Sequence, residues 1–104
     1  MLGLFKKQTL RQLAPPRTIS GSVKRIGNFI HDPNYGYTKG AIILENREAF
    51  VVSLVYLSEE DMAAWSLTSP QDNVELTFEE SVFNNQIVEK LVSFRNLDMP
   101  LIQQ

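Results

Sequence analysis

The chain's only histidine, two of its three tyrosines and one lysine share a short segment, His31 to Lys39, with the sequence HDPNYGYTK. Catalysis by a hydroxyl nucleophile needs a base held beside it by a third group. Here the one histidine is followed by Asp32-Pro33, the opening of a turn, so Asp32 is expected to cap that turn and not to align the imidazole. A lone histidine cannot build a multi-histidine metal site. The absence of cysteine removes thiolate zinc sites, disulfides and cysteine nucleophiles together. Glu59-Glu60-Asp61 would project in different directions from a helix, and Glu79-Glu80 would face opposite sides of a strand, so neither forms a metal cluster or a glycosidase pair. No glycine-rich phosphate loop of the P-loop or dinucleotide type occurs. Neither enzymatic activity nor a cofactor is expected, and the rings and cations of the segment are suited to contact.

The net charge of −2 conceals a division along the chain. Met1 to Lys39 holds seven basic residues and one acid, a net +6, whereas Gly40 to Gln104 holds three basic residues and eleven acids, a net −8. Such asymmetry points to a polyanion-facing region joined to an acidic body. It is also compatible with charges scattered over a solvated surface. At 104 residues the chain suffices for one domain with one core. Only Leu2 to Phe5 precede the first lysine, too few for the apolar centre of a signal peptide, and no apolar run approaches the roughly 20 residues of a membrane span. A cytoplasmic location with no membrane partner is the expectation.

The elements that must position these residues can be read from periodicity. Residues 1–17 read as a semi-ordered basic arm that docks on the barrel and ends at Pro15-Pro16, compatible with a short amphipathic helix carrying Leu2, Phe5 and Leu13 near one side. From Thr18, Ile19, Gly21 and Val23 alternate with polar residues until Arg25-Ile26 breaks the parity, which predicts a long first strand with a bulge or coil. Ala41 to Leu44 and Ala49 to Leu57 read as a hairpin around a four-residue turn, the second run being apolar enough to suggest a central strand covered on both faces. Ser58 is a helix N-cap with acids in the first turn, and Asp61 stands where a capping box places glutamate. Met62, Trp65 and Leu67 supply the helix's buried stripe, and Ser69-Pro70 ends it. Asn73 to Glu80 alternates cleanly, Val74, Leu76 and Phe78 facing inward. Gln86 to Leu97 is the last strand, with Val88, Val92 and Phe94 on one face and Ile87 and Leu91 on the other. Residues 98–104 form a tail broken by Pro100.

The order is strand, strand, strand, helix, strand, strand. A coiled, glycine-bearing first strand, a hairpin, a helix between strands three and four and a closing hairpin resemble the OB-fold over Arg17 to Leu97. The phrase Gly21-Ser22-Val23-Lys24-Arg25 is also similar to the opening of cold-shock domains, whose downstream aromatic motifs this chain lacks. An SH3-like barrel would leave the helix unexplained. The resemblance implies an all-β fold with one helix, a five-stranded Greek-key barrel over residues 18–97. It further implies a ligand crossing strands two and three between the loops that join strands one to two and four to five. Those loops would be His31 to Lys39 and Val82 to Asn85, offering Tyr35, Tyr37 and Phe83 as rings, with Lys24, Arg25, Lys39 and Arg47 as cations.

Each ring has a structural alternative: the tyrosines fold back on the barrel end, Phe83 plugs it, and Trp65 fills the core. Two functions from different classes follow. One is a single-stranded nucleic-acid-binding module. The other is a protein-interaction module that docks a partner on an edge strand or on the arm, favoured by the acidic pI near 5.3. A homo-oligomer is compatible with either.

Overall fold

A computed structural model of the chain describes residues 11–99. Of the residues expected on one side of an N-terminal helix, Leu2 and Phe5 lie outside the described residues, as does the tail beyond Met99, whereas Leu13 lies in exposed chain that is not helical. Five antiparallel strands and one helix follow in the expected order: β1 (Arg17–Asp32), β2 (Gly36–Leu44), β3 (Ala49–Ser53), α1 (Glu59–Leu67), β4 (Asn73–Phe83) and β5 (Gln86–Asn96). The strands form one sheet in the order β3-β2-β1-β4-β5. β3 and β5 are its two edges. No ladder joins them among the described residues, so the sheet does not close on itself.

β1 holds the sheet together because it serves two partners in turn. Arg17 to Ser22 pairs with β4, and Val23 to Asp32 pairs with β2. The change of partner coincides with a register shift between Val23 and Arg25, where Lys24 is the extra residue. The parity break in the sequence is therefore a bulge: Ile19, Gly21 and Val23 turn inward before it, and Ile26 and Asn28 after it. A Cβ on Gly21 would stand 3.1 Å from Leu44 Cδ1, so a bare backbone lets β1 coil closely over β2.

The core consists of the inward residues of both arms of this sheet, with Trp65 of α1 as its largest plug. Trp65 bridges the arms. Its Nε1–H donates to Asn28 Oδ1 on β1 at 2.7 Å, and its ring meets Phe94 on β5 edge-to-face at 5.0 Å. β2 lies so near that a Cβ on Gly40 would fall 2.6 Å from Trp65 Cζ2. Only glycine fits there without a shift of strand or ring. Ser58 Oγ accepts from the Asp61 amide at 3.1 Å, as an N-cap should. The Asp61 carboxylate does not return to Ser58 as a capping box requires. It accepts instead from the Phe94 amide at 3.1 Å, tying the helix to β5.

Four expectations need correction. The run from Ala49 to Leu57 is not a central strand: β3 is a short edge strand, and the apolar residues after Ser53 belong to the turn into α1, where Leu54 and Leu57 are buried. Leu67 is 69% exposed, because α1 ends there and the stripe it would extend has passed over the sheet. Leu91 and Phe94 share the inward face, because β5 carries a bulge: Ser93 opposes Thr77 and Leu91 opposes Phe78, leaving Val92 unmatched. Finally, His31 to Lys39 is mostly strand. Only Pro33, Asn34 and Tyr35 form the turn, closed by Asp32 Oδ1 accepting from Asn34 N at 2.8 Å and by Gly36 at φ +76°. Asp32 caps that turn as expected.

Candidate functional site

The two arms of the sheet treat their cations differently. On the β4–β5 side, arginines are paired. Arg11 holds Glu80 through both carboxylate oxygens at 2.7 and 2.8 Å, and Arg17 holds Glu89 in the same way at 2.7 and 2.8 Å. Glu80 and Glu89 are direct cross-strand partners, a like-charge placement that would destabilise the hairpin if both were left bare. The arginines remove that repulsion and lash residues 11–17 to the hairpin, with Ala14 N–H adding a third bond to Glu80. These bonds hold the Glu80 carboxyl down at about 2, and Arg17 lowers that of Glu89. Part of the positive charge of the N-terminal half is thus spent within the molecule.

On the β1–β2–β3 side no carboxylate lies within ion-pair distance of Lys24, Arg25, Lys39 or Arg47 among the described residues. The ladders place the outer side chains of this side in rows. Arg25, Ile43 and Ala49 form one row, and Gly27, Ala41 and Val51 the next. Ile30, Lys39 and Ser53 form the third, followed by His31 with Tyr37. Three strands at their usual spacing make this face about 10 Å wide, and Ile43 to Tyr37 spans about 20 Å. Its middle is apolar and open. Val51 is 71% exposed, and a groove of about 370 Å3 runs between Arg25, Phe29, Ala41 and Ile43. Tyr37 is kept upright by His31, whose ring meets it edge-to-face at 5.2 Å.

Of the residues expected to bind, Arg25, Lys39 and Tyr37 come together on this face. Tyr35 sits on the turn at its end, largely exposed. Lys24 is the exposed bulge residue beside Arg25. Arg47 lies in the β2–β3 turn at the opposite end, at φ +75°. Phe83 stands apart, exposed beside Val82 on the tip of the β4–β5 hairpin, where Asn84 and Asn85 both adopt positive φ in a two-residue turn. Its part of β4 pairs with β5 alone.

No protein-family model, curated protein or solved structure matches this chain. The site therefore rests on its own geometry. Two further residues belong to its surroundings. Tyr56, beyond β3, is half-exposed, and Lys90 on β5 lays its ammonium group 4.4 Å from the centre of that ring. Nothing local in the sequence marks the pair, because Tyr56 sits inside an apolar run and Lys90 is flanked by Glu89 and Leu91. Among the described residues no cluster of three metal-ligating side chains occurs, and no helix is long and apolar enough to cross a membrane.

Proposed function

We propose that the protein is a non-enzymatic, single-stranded nucleic-acid-binding module of the OB type, with the strand lying across the outer face of β1, β2 and β3. The observation that carries this is that Arg25, Lys39 and Tyr37 share one outer face, cations without carboxylate partners and an exposed ring along an apolar floor. Phosphates are attracted to such cations, and bases stack on such rings without regard to sequence. The strand order and the helix between β3 and β4 are compatible with a partly open Greek-key barrel, in which the face of strands two and three is the usual binding surface. Lys24, Arg47 and Tyr35 border the face, whereas Phe83 would join only if the strand extended to the other hairpin.

The test is the binding of a fluorescent oligonucleotide at micromolar protein over a series of salt concentrations. Affinity should fall steadily as salt rises, because each neutralised phosphate releases counterions. Binding that is absent, or indifferent to salt, rules the proposal out.

One observation favours a protein partner instead. The Leu44 amide bonds to Glu48 and the Leu54 amide to Thr38, so by alternation the amides and carbonyls of Ala49, Val51 and Ser53 point to the free edge of β3. An extended peptide could add there as a sixth strand. Salt-independent capture of an edge-binding peptide would support that alternative.

A further inference from the structure

Between the free edge of β3 and β5 lies a second cleft of about 370 Å3, at the lower end of the range for small-ligand sites. Lys39, Val51 and Ser53 line it from the β2–β3 side, and Tyr56, Glu89 and Lys90 from the other. Beneath them the rings of Phe50 and Phe78 lie 5.5 Å apart. We propose that this cleft holds one nucleotide unit, its base against Tyr56 and its phosphate beside the ammonium groups of Lys39 and Lys90. The site presupposes the strand path proposed above and extends it past the edge of the sheet.

Three observations carry the assignment. Lys39 belongs to both places, facing outward in the row with Ser53 and also lining the cleft, so a strand leaving the face meets the cleft without crossing a gap. Among the residues that line the cleft, the one carboxylate, Glu89, is neutralised by the two bonds from Arg17, while Lys39 and Lys90 have no carboxylate within ion-pair distance among the described residues, Glu79 being the cross-strand neighbour of Lys90 outside the lining. The ring is also presented for use. Tyr56 is 47% exposed, and the Lys90 ammonium lies 4.4 Å from its ring centre, so ring and cation are held side by side at the mouth of the cleft. An aromatic surface beside two ammonium groups suits a planar base joined to a phosphate better than an apolar ligand, which would leave both charges unused.

The experiment titrates the wild-type protein and the variants Tyr56→Ala, Tyr56→Phe, Lys90→Ala and Arg25→Ala with a labelled oligothymidylate of about twelve nucleotides, within the span of OB-type sites. Tyr56→Ala and Lys90→Ala should each weaken binding roughly fivefold or more, while Tyr56→Phe, which keeps the ring, stays near wild type. Lys90→Ala should also reduce the slope of log K against log salt by about 0.7, and Tyr56→Ala should not. If Arg25→Ala weakens binding while Tyr56→Ala and Lys90→Ala leave it unchanged, the cleft is not part of the path, though the face remains. If the wild type binds no oligonucleotide, the path across the face fails. Adenosine 5′-monophosphate then decides the cleft alone: saturable chemical-shift changes at Tyr56 and Lys90 support a nucleotide site, and their absence overturns it.

Discussion

From Arg17 to Ser22, β1 runs beside β4, in a region whose strands carry four carboxylates, and each arginine of the arm is held by a glutamate across the fold. From Val23 to Asp32 the same strand runs beside β2, and Lys24 and Arg25 meet no carboxylate among the described residues. One strand thus joins a region whose arginines are paired with glutamates to a region whose cations are left open. Net charge is a poor guide to such a molecule, since its cations differ in availability more than in number. Paired arginines have little left to offer a polyanion. Unpaired ones do.

Trp65 links the two regions, so its loss should have the largest effect. Trp65→Ala should destabilise the protein by about 3–5 kcal/mol in urea unfolding, from cavity formation and the loss of the bond to Asn28. If both regions unfold together at lower denaturant, β1 couples them. Separate transitions would show that they are independent. On the open face, Tyr37→Ala should cost about 1–3 kcal/mol of oligonucleotide affinity and little stability, because its ring is exposed and meets His31 edge-to-face on the surface. An equal loss from Phe83→Ala would break the comparison by making the far hairpin an equal contributor.

The smallest effect concerns the closed region. Glu80 titrates near 2 in the folded protein and near 4.5 when freed, so its bond to the arm contributes fully above the higher value and is lost as pH falls toward the lower. The Ala14 amide, which donates to Glu80, should keep its slowed hydrogen exchange above about pH 4.5 and lose protection, relative to Glu80→Gln as baseline, on acidification. Protection that does not change through this window would show that the arm is held by something other than Glu80.

Much of the fold could be read from the sequence, because it depends on local chemistry. Alternation at Val74, Leu76 and Phe78, the parity break at Arg25-Ile26 and the Ser58 cap each have a short-range cause that survives folding. What stayed hidden depends on distant partners. Glu80 and Glu89 lie 69 and 72 residues from the arginines they bind, so half of the apparent basic arm looked available when it was not. The β5 bulge at Val92 is set by its pairing with β4, and it moved Leu91 to the face of Phe94 against simple parity. Of the binding residues, Arg25, Lys39 and Tyr37 were legible by type, but their shared face arises from ladder register. Tyr56 with Lys90 was invisible because the segment after β3 meets β5 by side-chain packing, without a ladder between them.

The difference between open and closed cations is tested most directly by the salt slope of oligonucleotide binding in two double variants. Arg25→Ala with Lys39→Ala should lower the slope of log K against log salt by about 1.4, two phosphate contacts at roughly 0.7 each on a single strand, whereas Arg11→Ala with Glu80→Ala, which removes a pair outside the cleft together with its carboxylate, should leave it unchanged. An equal or larger fall in the second variant would contradict the account, because it would mean that the arginines paired with glutamate are the ones that meet the phosphates.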